Sequence, residues 1–199
     1  MKNPIHILNS HSSSINFLTF LNDGRLVSCS NDNSIIIYNK ITYQPDLIIK
    51  EHKNSVCCVI QLNSGELASC SYDKTIKLYN IQGNEYENIQ TLNYHKEGVN
   101  NIVELNNKYL CSCSFDSSII FYLKDNSEYK KDYQISTNVI NNYIYSITQT
   151  KDDEICYSEL NNNSICFFDL NERKIKSTLY KINKYNNWLG RSIMISKIF

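Results

Sequence analysis

The sequence of 199 residues is poor in glycine, proline and tryptophan, and it contains no long apolar run. It holds five Gly, two Pro and one Trp. So few glycines and prolines exclude a collagen-like or linker-dominated chain, and five scattered glycines cannot build a phosphate-binding loop. The longest apolar stretches, such as 56–60, are far too short to span a bilayer, so no membrane partner is expected.

An excess of charge of either sign is also missing. Twenty Lys and Arg balance twenty Asp and Glu, which gives a formal net charge of +0. A protein that follows nucleic-acid phosphates needs a basic face, so this balance argues against a nucleic-acid partner. The local excesses at Lys130 and Lys131 and in the lysine-rich stretch 174–184 are interpreted as solvated strand edges.

The N-terminal residues lack the apolar core of a secretory signal, which predicts a cytoplasmic location and leaves a nuclear one open. The eight cysteines are then expected to be reduced thiols. The pairs Cys57-Cys58 and Cys111-x-Cys113 do not have the spacing of zinc ligands, and no Gly-x-Ser-x-Gly motif is present. No metal and no cofactor is therefore predicted.

What the chain does contain is an internal repeat. The stretch 69–79 reads SCSYDKTIKLY, and a similar phrase occurs at 28–38 and at 112–122. Each copy is an apolar run, a polar turn and a second apolar run, which predicts two strands joined by a hairpin. A histidine precedes each phrase, and successive histidines lie 41 (52 − 11) and 43 (95 − 52) residues apart. Periods of about 40–45 residues are typical of four-stranded propeller blades.

Four residue types keep constant offsets in three copies, with serine, aspartate and tyrosine 17, 21 and 27 positions after the histidine. The three sets are His11, Ser28, Asp32 and Tyr38; His52, Ser69, Asp73 and Tyr79; and His95, Ser112, Asp116 and Tyr122. A fourth copy is degraded. Ile140 stands at its histidine position, Asn162 is the best match to the aspartate, and Phe168 is the aromatic residue.

These features resemble the WD-repeat family of β-propellers over about residues 5–199. The resemblance implies an all-β fold of about four four-stranded blades plus an incomplete fifth, in an open or truncated ring. The sequence departs from the family pattern where Tyr or Phe replaces the usual Trp and where no Gly precedes the histidine. A smaller aromatic side chain still packs, so the fold prediction stands.

We expect a single partial propeller over 1–199. Its parts are predicted at about 11–51, 52–94, 95–138 and 139–182 for the four blades, 183–199 for the start of a fifth, and 5–8 for a lone strand. No segment keeps a 3.6-residue period, so essentially no helix is expected. Exposed polar loops of varying length are predicted between third and fourth strands, at 39–45, 80–87 and 123–131.

The incomplete ring leaves three explanations open. The chain is a fragment or a truncated product, or it forms an open arc that a second chain or copy completes, or it closes alone with unusual geometry. The first two would leave blade edges exposed.

The recurring Ser, His and Asp allow two interpretations. A hydrolase would use such a set as a catalytic triad, but a catalytic set is normally single and this one occurs three times. The family resemblance implies instead a buried hydrogen-bonded network that ties the loop before the first strand to the hairpin after the second. We therefore predict a structural role for the twelve residues and no enzymatic activity.

In the resembled family, partners dock on the face that carries these hairpins and loops, which implies protein or peptide partners and a scaffold or adaptor role. The residues expected on that face are Asn31, Tyr72, Phe115 and Asn161, which precede the aspartate positions, and Lys53 and Lys96 in the neighbouring loops. Tyr72 and Phe115 alternatively only fill the hairpin tips. The other functions left open are the targeting module of a larger multidomain protein or ubiquitin-ligase complex, a hydrolase, and a non-functional remnant.

Overall fold

The computed structural model describes residues 7–137, 142–161 and 163–180. Within these residues every regular element is a β-strand, and the strands form four antiparallel four-stranded sheets. In each sheet the neighbouring strands follow chain order. We call the sheets blades one to four. The predicted all-β class and the four four-stranded blades are confirmed.

The strand bounds are as follows. Blade one contains β1 (Ile15–Phe20), β2 (Leu26–Ser30), β3 (Ile35–Tyr38) and β4 (Pro45–Ile49). Blade two contains β5 (Val56–Gln61), β6 (Leu67–Ser71), β7 (Ile76–Gln82) and β8 (Glu85–Leu92). Blade three contains β9 (Val99–Glu104), β10 (Leu110–Ser114), β11 (Ser118–Asp125) and β12 (Glu128–Ser136). Blade four contains β13 (Ile144–Lys151), β14 (Glu154–Glu159), β15 (Ser164–Asp169) and β16 (Lys174–Tyr180).

The turn between the first and second strands needs a left-handed residue in blades one to three. Gly24 and Gly65 supply it with φ of 87° and 101°, whereas blade three uses Lys108 at φ 71°. A residue with a Cβ is strained in this region and glycine is not. The third copy therefore keeps the turn without the residue best suited to it.

The prediction of exposed loops at 80–87 and 123–131 is wrong. The third strands of blades two and three run on to Gln82 and Asp125, and tight two-residue turns lead directly into the fourth strands. In blade three, Asn126 and Ser127 both have positive φ, of 47° and 77°, which matches the twist of the flanking strands. Only the blade-one loop holds, since 39–44 lies outside any strand and Pro45 opens the edge strand β4.

The chain divides into two compact units, with the boundary at Asn93 and Tyr94. We call the sheet face that carries the repeat serine the front face of a blade, and the opposite face the back face. In the first unit, β5 of blade two lies against β1 and β2 of blade one. Val27 and Ile37 on the back of blade one share a buried apolar cluster with Val59 and Tyr79 on the front of blade two.

The second unit is built in the same way. β13 of blade four lies against β9 and β10 of blade three. Cys111 and Phe121 on the back of blade three share a buried cluster with Ile147 and Phe168 on the front of blade four. Within each unit, the front face of the later blade thus covers the back face of the earlier blade.

Several predictions fall wholly or partly outside the described residues. These are the incomplete fifth blade at 183–199, Ile140 and Asn162 of the degraded copy, and the first half of the lone strand at 5–8. In the second half of that segment, Ile7 and Leu8 are not in a strand. The single-domain boundaries stay a prediction. The described residues include no helix of sufficient length and apolarity to cross a bilayer.

Candidate functional site

In blades one to three the histidine, serine and aspartate of the repeat form one hydrogen-bonded chain, and the repeat tyrosine lies beside the serine; we call these four residues the clasp. The histidine Nδ1 lies 2.9, 2.8 and 2.8 Å from an aspartate Oδ2 in blades one, two and three. Its Nε2 lies 2.6, 2.8 and 2.7 Å from the serine Oγ. An Nδ1–H tautomer fits both bonds, because Nδ1–H donates a hydrogen bond to the carboxylate and Nε2 accepts one from the serine hydroxyl.

The hydrogen bond between the tyrosine hydroxyl and the serine differs among the three blades. It lies 3.0 Å from the serine Oγ at Tyr122 and 3.4 Å at Tyr38. The buried Tyr79 hydroxyl has no hydrogen-bond partner among the described residues. The aromatic ring, which packs in the blade core, is therefore the constant contribution of this position, and the hydroxyl bond is not.

Both oxygens of each clasp aspartate are fully used. In blade two, Oδ2 of Asp73 also accepts the backbone N–H of Lys53 at 2.9 Å. Oδ1 accepts the backbone N–H and the hydroxyl of Thr75 at 3.0 and 2.6 Å. Asp32 and Asp116 have equivalent donors in Ser12 and Ser34, and in Lys96 and Ser118. One carboxylate thus joins the loop before the first strand to the hairpin after the second.

These donors outweigh the effect of burial on the carboxylate pKa. Burial alone would raise the pKa of Asp32 and Asp116, but hydrogen bonds from the neighbouring hydroxyl, the histidine and the loop amide lower it from 3.8 to about 2. The same balance lowers the pKa of Asp73 still further. A lowered folded pKa means that these carboxylates stabilise the fold above pH 3.8 and lose that contribution as the pH falls toward 2.

A second serine supports the hairpin in each blade and was not predicted. Ser30, Ser71 and Ser114 accept the backbone N–H of the clasp aspartate at 3.0–3.1 Å. Their hydroxyls donate to loop carbonyls that precede the first strand. The sequence does contain the signal for this second serine, because all three phrases read Ser-Cys-Ser and so repeat both serines.

Blade four has only a remnant of this arrangement. By strand register, Tyr157 occupies the serine position and Phe168 the tyrosine position. Glu159, at the end of the second strand, accepts the Ser164 hydroxyl at 2.6 Å, much as Asp32 accepts that of Ser34. A carboxylate–hydroxyl contact therefore persists in the fourth hairpin from a different backbone position.

The residues predicted to face partners share one backbone position in three blades. The amides of Asn31, Tyr72 and Phe115 donate to the carbonyl of the residue before the first strand, at 2.9–3.0 Å. In blade four this bond comes from Leu160, not from Asn161. The turn bond of the same hairpin, from the Asn163 amide to the Leu160 carbonyl, matches that from Asn33 to Ser30 and keeps Asn161 as the counterpart of Asn31. The assignment of Asn161 therefore stays a prediction.

The surroundings of these side chains differ. Asn31 is half-buried and accepts from Asn16 Nδ2 at 2.7 Å. Phe115 is half-buried and makes edge-to-face contacts with Tyr143 and Tyr145, at centroid distances of 5.2 and 5.9 Å. Sequence reasoning missed both tyrosines, which fall in the degraded copy. Tyr72 is half-buried, and the three polar candidates that remain, Lys53, Lys96 and Asn161, are exposed.

The clasp has the connectivity of a catalytic triad but not its accessibility. A nucleophilic hydroxyl has to reach a substrate, whereas Ser28, Ser69 and Ser112 are at most 1% exposed. Among the described residues, no three His, Cys, Asp or Glu side chains are placed to hold a metal ion. All eight cysteines are thiols, and Cys57 is the one that is not fully buried. The geometry therefore suits a structural tie.

Comparison with known families agrees with the repeat. The family model of the WD domain, G-beta repeat, matches residues 2–39, 43–80 and 86–122, which together make up more than half of the chain. Each matched stretch contains one complete clasp. No curated protein matches the sequence.

Proposed function

Because the chain belongs to the WD-repeat family of β-propellers, we propose that it is a non-catalytic scaffold or adaptor that binds protein or peptide segments. Propellers of this family are generally protein-interaction scaffolds. The observation that carries the proposal is the use of every Ser-His-Asp set as an internal tie. Three buried copies at one repeat position leave no distinguished nucleophile, so the available chemistry is surface recognition.

The proposed binding surface is the edge of each unit that carries the clasp hairpins. In the first unit it comprises Asn31 and Tyr72, with Lys53 at its rim. In the second unit it comprises Phe115 and Asn161, with Lys96 at its rim. Half-buried aromatic side chains are favoured anchors because they bury a large area at low entropic cost, and the lysines around them would select for acidic segments.

Affinity capture with a double variant tests this surface. Tyr72→Ala combined with Phe115→Ala should lose most partners that the wild-type protein retains. Ile89→Ala is the matched control, since Ile89 is an exposed apolar residue on the edge strand β8. Circular dichroism must show that the double variant is folded. If the folded double variant captures the same partners as the wild type, the proposed surface is wrong.

Within this function, the chain would serve as the targeting module of a larger multidomain protein or of a ubiquitin-ligase complex. The support for this finer role is the family membership alone. Identification of the captured proteins by mass spectrometry tests it, and a set without ligase subunits or fused domains would count against it. Protein rather than nucleic-acid partners are proposed from the charge balance. A cytoplasmic location, with a nuclear one left open, stays a prediction.

Hydrolysis is the second candidate, because the His52 Nε2 to Ser69 Oγ distance of 2.8 Å suits proton transfer. A hydrolase would lose turnover on Asp73→Asn substitution while keeping its melting temperature. The structural interpretation predicts instead that the same substitution lowers the melting temperature, and it predicts no turnover for the wild type or the variant. A panel of ester and peptide substrates, measured beside thermal unfolding, separates the two.

A further inference from the structure

The first strand of blade one leaves apolar side chains in solvent at positions that the other blades bury. Leu18, on the front face of β1, is 53% exposed. Its counterparts by strand register are buried in the other three blades: Val59 at 0%, Ile102 at 2% and Ile147 at 4%. Ile15 repeats the contrast, with 45% exposure against 0–1% for its counterparts.

The end of the same strand adds a third apolar group. Phe20 is 69% exposed on the front face of β1. Blades two, three and four carry polar residues there: Gln61, Glu104 and Gln149. A phenylalanine at an exposed position where the repeat otherwise has polar side chains indicates a surface that is covered in use.

The back face of blade four also leaves apolar side chains exposed. Leu179 is 57% exposed, whereas Ile49 at the same position of blade one is 1% exposed. Phe167 is half-buried, although its counterparts Ile37 and Phe121 are fully buried. Ile165, beside Leu179 in the register, is also half-buried. This face thus offers three large apolar groups that the equivalent faces keep within a core.

The packing rule within each unit identifies what fits these faces. A front face is covered by the back face of another blade, as blade two covers blade one and blade four covers blade three. The open part of the front face of blade one is β1, since Ile36 and Tyr38 on the same face are 1% and 2% exposed. The complement of this part is a blade back face, and blade four carries an open one. We infer that the chain associates head to tail with a second copy. The front face formed by Ile15, Leu18 and Phe20 binds the back face formed by Ile165, Phe167 and Leu179 of that copy.

Sedimentation velocity over a range of protein concentrations tests the association. The wild-type protein should shift from monomer to dimer or larger species in the micromolar range. Leu18→Lys combined with Phe20→Gln, which restores the polar residue of blade two, should weaken association at least about tenfold. Ile89→Lys, exposed on the edge strand of blade two, is the matched control and should leave association unchanged. A wild-type monomer throughout, or equal association of the double variant, would overturn the inference.

Mixed cross-linking identifies the two faces directly. Chains carrying Leu18→Cys and chains carrying Leu179→Cys are treated with a short bis-maleimide, separately and together, with the wild type as a background for Cys57. Only the mixture should give a covalent dimer. Dimers formed by Leu18→Cys alone would mean that front face meets front face. In a chain with both substitutions, a purely intramolecular link would mean that its own blade four supplies the contact. Either result overturns the inference.

Discussion

Replacing Asp73 by Asn removes one acceptor atom from the middle of a clasp and leaves its size unchanged. The carboxylate accepts four hydrogen bonds, two from His52 and the Lys53 amide at one oxygen and two from Thr75 at the other. An amide keeps one oxygen and places an NH₂ group where the other was. If the NH₂ group replaces Oδ2, it faces the His52 and Lys53 donors, and if it replaces Oδ1, it faces the two Thr75 donors.

The expected cost follows from these lost bonds. A hydrogen bond to a charged acceptor contributes roughly 1.5–3 kcal/mol, and a buried donor without a partner loses its hydration as well. The Thr75 hydroxyl can rotate toward another acceptor, so we count one to two lost bonds. We expect the free energy of unfolding to fall by about 2–3 kcal/mol. For a chain of this size, that lowers the melting temperature by about 5–10 °C.

Urea unfolding followed by circular dichroism measures the change, with Asp125→Asn as the control. Asp125 sits in an exposed hairpin, where its side chain is 56% exposed and pairs with Lys130. Such surface pairs contribute little, so the control midpoint should match that of the wild type. Equal midpoints for Asp73→Asn and Asp125→Asn would refute the structural interpretation of the clasp.

Three further predictions concern other parts of the chain. Acidification should destabilise the fold as the pH falls from about 4 to 2, because the folded pKa of Asp116 is lowered to about 2. Asp116 should account for about 1–2 kcal/mol of the lost unfolding free energy after allowance for solvent screening. In an Asp116→Asn variant the unfolding free energy should therefore change less with pH over this range. Lys108→Gly should stabilise blade three by about 0.5–1 kcal/mol in urea unfolding, because φ at this position is 71°, whereas Lys108→Ala should not. Tyr133→Ala should cost about 3 kcal/mol, because its ring stacks on Phe121 at 4.2 Å, and Tyr133→Phe should cost far less.

The repeat made most of the fold predictable. Offsets of 17 and 21 residues brought His52, Ser69 and Asp73 together, because a constant spacing in three copies implies one structural position. Strand bounds failed mainly between the third and fourth strands of blades two and three. In blade three the turn at Asn126 and Ser127 lacks the usual glycine, so the sequence read as a loop although the backbone forms a tight hairpin. The blade-two turn does contain a glycine, Gly83 at φ 60°, and there the signal was overlooked.

The surface was less predictable than the clasp. Whether Leu160 or Asn161 is the counterpart of Asn31 depends on where the fourth hairpin holds its one extra residue, and the repeat spacing does not determine this. The exposure of Leu18 depends on which blade packs beside it, a tertiary fact that the strand pattern does not contain. Phe115 was predicted as a surface aromatic, but its contacts with Tyr143 and Tyr145 connect it to the degraded fourth copy.

The coupling between His52 and Asp73 tests the central claim most directly. A double-mutant cycle with His52→Gln and Asp73→Asn, measured by urea unfolding, isolates the energy of their 2.8 Å contact from the other effects of each change. If the clasp ties loop to hairpin, the two changes should be non-additive by about 1 kcal/mol or more. Strict additivity would show that the contact does not hold the blade together.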